Sequence, residues 1–298
     1  MLLRRTALAH LAAGAASWPA WNLAQTTRPV AIAVPDDVAK DYARFVAGRP
    51  LARITQFDGP HARRDVVELA LFLRELARTT PELQAQLRPI DSYQRSLVEV
   101  SIGRVAALGT SAWQTDLQKT TPKVLLSEAL IPEDEFRVGL YTVAGNRKAL
   151  AAHTVQALRE LRFVSNSDWS ADWTTLQAMG LPNVANIKTW RQMVYLVARG
   201  RADVLLAPFP NTPSLRLVFE DFTLEPLEGR ALALKGSRHL AAANNVDGQR
   251  IANTVFPALA ALGHSGALRR AYTECGFYNP QVAGWHTFKA LNLNQVGL

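Results

Sequence analysis

The sequence predicts an α/β protein built as two Rossmann-like lobes, with mostly parallel sheets and two extended crossovers that act as a hinge. Three observations carry that prediction. First, residues 191–209 form a unit of helix, Gly-Arg turn and apolar strand. Met193, Val194, Leu196 and Val197 make one helical stripe, and Gly200 suits the turn. Val204 to Ala207 is short enough for a buried strand, which Pro208 ends. Second, residues 95–111 repeat the unit with one residue of slip, passing through Gly103-Arg104. Third, short apolar runs alternate with amphipathic stretches along the chain, as expected of strands joined by helices that cover both faces of a sheet.

In chain order, residues 28–35 read as a first buried strand, and Asp36-Asp37 open a helix over 38–46, where acids favour the dipole. Residues 51–57 are expected to be a second strand or an edge hairpin. An amphipathic helix follows over 65–78, with Val66, Leu69, Leu73 and Leu76 inward. A short strand at 87–90 then leads into the first repeat unit. Residues 123–126 and Leu130-Ile131-Pro132 form an extended way out of the first lobe, and Pro132-Glu-Asp-Glu135 has the composition of a hinge linker. The second lobe should hold a strand at 136–143, a helix at 149–158 and a strand at 161–164. A polar turn, Ser165-Asn-Ser-Asp-Trp169, precedes a helix over 173–179 closed by Gly180. A strand at 184–187 and the second repeat unit come next, then strands at 222–227 and 231–234 joined through Glu228-Gly229. After Gly236, residues 247–274 are mainly helix, and the tail from Gly276 is irregular. Lobe one is therefore assigned as 28–130 plus 230–298, and lobe two as 131–229.

The chain has 298 residues, 48% hydrophobic and 19% charged, enough for a sizeable core and one or two domains. Residues 1–24 stand apart. Arg4 and Arg5, no acids, an Ala/Leu-rich run and small residues up to Ala24 have the layout of a signal peptide. Leu8 after the arginine pair is compatible with the twin-arginine route as well as the general one. Losing the two arginines lowers the formal charge from +8 to +6. There is no Lys/Arg block of the kind that tracks nucleic acid. With Cys275 as the single cysteine, no internal disulfide forms and no lipid attaches at the leader's end.

The order of these parts resembles bacterial periplasmic solute-binding proteins with two lobes and two crossovers. It resembles in particular the family 3-like substrate-binding proteins of ABC transporters, which have the type II periplasmic binding fold and include polar amino-acid receptors. The resemblance rests on the signal-like N-terminus, Gly103-Arg104 with Gly109-Thr110-Ser111, Ser127-Glu-Ala-Leu130, Val197-Ala-Arg-Gly-Arg-Ala-Asp-Val204, Leu232-Ala-Leu-Lys-Gly-Ser-Arg-His239, and the helical stretch from Leu262 to Gly276. It implies a monomer free in the periplasm that captures a small polar solute for an inner-membrane ABC transporter permease. Receptors of this group place an Arg soon after a lobe-one strand to clamp the ligand carboxylate. Here 110–119 has no Arg, and Lys119 is only a point charge, which speaks against a standard α-amino acid. A ligand-sensing subunit for a membrane signalling protein has the same lobes, and a hydrolase or transferase on this fold is the third reading.

Ligands favour interlobe clefts and the carboxyl ends of strands. The strand exits nominate Asp36, Asp37, Thr110, Ser111 and Trp113 in lobe one. In lobe two they nominate Ser165, Asn166, Ser167, Asp168, Trp169 and Phe209 within the Pro208-Phe209-Pro210 turn. The run at 165–168 either holds an anionic group at the following helix or, through Ser167 or Asp168, simply caps it. Trp113 either stacks on a flat ligand or covers the core edge, and Trp169 either floors the site or packs beside Trp173. Asp36 and Asp168 are a candidate carboxylate pair across the cleft.

Enzyme chemistry is not expected. His61, His153, His239, His264 and His286 are scattered without metal spacing, and Gly263-His-Ser-Gly-Ala267 lacks the last glycine of a nucleophile elbow and reads as an interhelical turn. No catalytic residue, metal or cofactor is nominated, and Cys275 is expected to be a buried structural thiol.

Overall fold

A computed structural model describes residues 27–290; the leader at 1–24 lies outside them. The chain starts with β1 (Arg28–Val34), α1 (Asp36–Val46), α2 (Arg64–Thr79), β2 (Leu83–Pro89) and α3 (Tyr93–Ser101). β3 (Ala107–Leu108), β4 (Ala112–Trp113), α4 (Gln114–Leu117) and β5 (Leu125–Ile131) complete the first pass. After a turn at 132–135 the second sheet begins with β6 (Arg137–Thr142). It continues through α5 (Arg147–Leu150), α6 (Val155–Arg159), β7 (Phe163–Ser165), α7 (Ser170–Ala178), β8 (Val184–Asn186), α8 (Trp190–Ala198), β9 (Val204–Ala207), β10 (Leu217–Val218) and β11 (Thr223–Ala233). The chain then returns through β12 (Arg238–Ala242), α9 (Val246–His264) and α10 (Ala267–Glu274), and ends in β13 (His286–Phe288).

Each sheet has a parallel core extended by antiparallel strands. In the first, β1 lies parallel between β2 and β3, and the returning β12 runs antiparallel to β3, β4 and β5. In the second, β7 lies parallel between β8 and β9, while β6, β10 and β11 pair antiparallel. The fold is α/β with two sheets, as the alternation of apolar runs predicts. Both repeat units form as read, with α3 turning into β3 and α8 into β9. Their turns place Gly103 and Gly200 at φ 75 and 68, where a side chain would be strained. Trp113 packs on Phe136 at 5.3 Å between ring centroids, joining the two halves of the core at the crossover.

Several local expectations are corrected. Residues 51–57 form no strand but a 3-10 turn (Leu51–Arg53) and an unpaired stretch. Ile54 and Phe57 are pinned in the core, and the Phe57 N–H finds Glu274 at 2.8 Å rather than a neighbouring strand. The helix expected over 149–158 is broken into α5 and α6, because the Thr154 hydroxyl accepts from Ala157 N–H and starts a new helix. The strands expected at 222–227 and 231–234 are one strand, β11, whose register against β6 shifts between Pro226 and Ala231. β12 was not expected at all.

The boundaries at 230–298 also differ from the pairing. Arg230 to Ala233 belong to the second sheet, and the tail crosses back to add β13, parallel to β11.

Candidate ligand-binding cleft

Strand exits of the two sheets face one another across three adjoining hollows that share Arg238 and Trp169. The lobe-one hollow, about 580 Å³, lies against Asp37, Arg63, Arg64, Tyr93, Thr110 and Ser111. A central hollow of about 270 Å³ is mostly apolar, walled by Trp113, Phe136, Trp169, Trp190 and Pro208, with Asp172 set into it. A third, about 380 Å³, opens past Tyr93, Asn166, Asp168 and Ser170.

Arg238 is the first residue of β12, and it is buried. Its Nε donates to Ser111 Oγ at 3.1 Å and its Nη2 to the Ser111 carbonyl. The guanidinium lies 4.8 Å from the Trp113 ring centroid and 5.6 Å from that of Phe136. Nη1 has no hydrogen-bond partner among the described residues. Burial, and then the nearby Arg64 charge, hold its pKa below the ordinary guanidinium value.

Ser111 is held from below by Glu68, a buried carboxylate on α2. Glu68 accepts from Ser111 N–H at 2.7 Å, Ser111 Oγ at 2.9 Å, Tyr272 OH at 3.0 Å and Arg64 Nη1 at 2.8 Å. Burial opposes the Arg64 charge, but Asp65 and Glu68 outweigh it and keep its pKa above the ordinary value. The network satisfies a charge that would be costly to bury alone. It also fixes Ser111, to which Arg238 is anchored.

Lobe two supplies the facing wall from α7. Asp172, half-buried, lies across the hollow from Arg238 and forms no ion pair with it. Burial pushes its carboxyl up to about 6, against a weaker pull from Arg238. Beside it, Ser170 Oγ donates to Asp116 Oδ2 at 2.6 Å, and the same oxygen accepts from Tyr93 OH at 3.1 Å. A separate hollow between β5, α9 and α10 faces elsewhere, and its carboxylates are already paired: Glu128 with His264 and Glu135 with Arg269.

An amino-acid ABC transporter extracellular-binding protein of Bacillus subtilis, named as probable (ytmK), superposes with a TM-score of 0.55 at 13% identity, covering 83% of this chain and 97% of that one. A protein of Wolinella succinogenes named as a binding component of an ABC transporter, complexed with lysine, gives 0.52 at 17% identity, with 82% and 94% covered. The Bordetella pertussis BvgS periplasmic VFT2 domain gives 0.51 at 12% identity, with 81% and 92% covered. The chain has the type II periplasmic binding fold. No family model and no curated protein matches the sequence.

Within this periplasmic binding fold the nominated residues separate. Asp37, Thr110, Ser111, Trp113, Asn166, Asp168 and Trp169 line the hollows. Asp36 does not; it pairs with Lys40 one turn along α1, so the Asp36–Asp168 pair is not assembled in the cleft. Ser165 is buried at the end of β7, and Ser167 turns to Asn186. Phe209 packs on Trp285 and Tyr141 in the second core, leaving Pro208 at the hollow. Neither Ser167 nor Asp168 caps α7, which has no side-chain cap; the Asp116 carboxylate approaches its first turn from lobe one instead.

Sequence reasoning missed Arg64, Tyr93, Asp172, Trp190 and above all Arg238. The guanidiniums that line the hollows come from outside 110–119, and their traces in the sequence are Arg63-Arg64 ahead of an amphipathic helix and Arg238-His239 after a glycine.

Proposed function

We propose that the chain is an exported solute-binding protein that closes its two lobes on a small polar molecule and delivers it to an inner-membrane ABC-type permease. One observation carries the reading. Buried Arg238, anchored to Ser111, lines a hollow together with Trp113, Trp169, Trp190 and Asp172. The guanidinium spends its Nε edge on Ser111, so an anionic group of the solute meets the remaining N–H groups on Nη1 and Nη2. An ammonium on the same molecule meets Asp172, and the solute's apolar part lies on the tryptophans. Desolvation between the lobes strengthens both contacts. The ligand undergoes no chemistry, and no cofactor or metal takes part. The likeness to ABC transporter binding proteins supports the delivery step.

The test is a thermal-shift and calorimetric screen of the mature chain against amino acids, betaines, organic acids, amines and sugars. A solute bound by the native state alone raises the melting temperature, and the rise grows with the logarithm of its concentration above Kd. Saturable binding of one class, lost in Arg238→Ala, is expected. Turnover of the bound compound would move the protein to the hydrolase or transferase reading.

The likeness to the BvgS periplasmic domain favours a second reading, a ligand-sensing subunit for a membrane signalling protein. Binding of a solute without uptake by any permease, together with a membrane signalling partner that responds to occupancy, would establish it in place of transport.

A further inference from the structure

Outside the cleft, one buried carboxylate is surrounded by more positive charge than it can balance. Glu99 lies on the inward face of α3 and is buried. Three guanidiniums reach it from three places. Arg104, in the turn after α3, brings Nη1 to 3.3 Å; Arg95, one helical turn earlier, brings Nε to 3.7 Å; Arg88, near the end of β2, brings Nη1 to 3.7 Å. No other carboxylate pairs with these arginines among the described residues, and Glu99 Oε2 has no hydrogen-bond partner there.

A buried carboxylate draws cations because it has lost its water. One would balance it. Three leave two positive charges uncompensated and set the guanidiniums against one another. Their side chains are 45%, 63% and 64% exposed, so the cluster is open to solvent. Planar guanidinium forks gathered on one spot match the geometry of a tetrahedral oxyanion. A charge of −2 placed there neutralises the cluster.

We propose that Arg88, Arg95 and Arg104 form a second binding site, on the outside of lobe one, for a doubly charged oxyanion of the phosphate class. None of the three lines the interlobe hollows. Val98, exposed on α3, and Ile102, exposed just past its end, give an apolar neighbour to any organic body the phosphate carries.

The experiment titrates the mature protein with inorganic phosphate, and separately with phenyl phosphate, at constant ionic strength set by chloride, following backbone amide cross-peaks. Saturable shifts confined to residues around 88–104 are expected, weakened about tenfold or more in Arg95→Gln/Arg104→Gln, since each lost contact is a charge-assisted hydrogen bond. They should persist in Arg238→Ala. Tighter binding of phenyl phosphate marks a phosphate ester as the natural occupant, and equal binding marks the free ion. The proposal is overturned if phosphate acts no more strongly than chloride, if the double variant binds unchanged, or if Arg238→Ala abolishes the shifts, which would place the anion in the cleft. These outcomes are independent of whether the cleft binds a solute.

Discussion

Ser170 donates its hydroxyl to the buried Asp116 carboxylate at 2.6 Å, fastening the first turn of α7 in lobe two to lobe one at the mouth of the cleft. The same α7 carries Asp172, so the tie and the acid that lines the hollow sit on one helix. A second tie, from the Lys235 N–H to Thr175 Oγ1 at 2.8 Å, joins the returning crossover to the middle of α7.

Ser170→Ala removes the charge-assisted tie and leaves Asp116 with Tyr93 and Lys119. The expected outcome is a more open pair of lobes, seen as a larger radius of gyration by small-angle scattering. The bond lost is worth about 1.5–3 kcal/mol of lobe closure. An unchanged radius would show that the core contact of Trp113 with Phe136 holds the lobes by itself.

Arg238→Lys keeps a positive charge but cannot both reach the Ser111 oxygens and lie flat against Trp113. Solute affinity should fall at least about tenfold, one charge-assisted contact's worth, with Arg238→Ala losing more. Calorimetry with the solute identified by the screen checks both variants, and circular dichroism confirms that they fold.

Asp172 has a pH signature of definite sign. Its carboxyl is raised by burial from 3.8 to about 6, so the folded chain holds this proton more tightly than the unfolded chain does. The stability it contributes is fully present below about pH 4 and is lost as pH rises through about 6. Asp172→Asn should therefore raise the melting temperature at pH 7.5 relative to wild type, with little relative change at pH 4. Binding runs the other way. A solute held through its ammonium group should bind more weakly as the pH falls below about 6, and Asp172→Asn should flatten that dependence.

Glu68→Ala deprives Ser111, Tyr272 and Arg64 of a common acceptor and leaves a buried guanidinium short of a partner. A loss of about 3–5 kcal/mol is expected in chemical denaturation. Glu68→Gln keeps the shape and should recover part of it.

Cys275 should be nearly inert. Burial raises its thiol to about 11, so reaction with a thiol reagent at pH 7.5 is expected to be slow in the native state and fast after unfolding.

Periodicity and turn chemistry act between neighbouring residues, and what depended on them was legible in the chain itself. The first strand at 28–34, the long amphipathic helix of Leu69 and Leu73, the Gly103 and Gly200 turns and the linker at 132–135 all follow from local pattern. β12 lacked any such signal. It begins with Arg238 and His239, whose burial depends on remote partners. His239 finds Ser127 O and Ser237 Oγ at 2.8 Å each, and Arg238 finds Ser111.

By itself, then, the sequence determined an α/β chain of two similar units, a turn between them and several aromatic and polar residues of the strand exits. Only the tertiary structure decided which of those exits share a hollow, that Phe209 packs in the core and Ser165 is buried, and that Arg238 meets Ser111 across 127 residues of chain. The reason is physical. A helix or turn is stabilised by residues a few positions apart, whereas a buried charge is tolerated only where distant segments bring it partners, and no local pattern records that meeting.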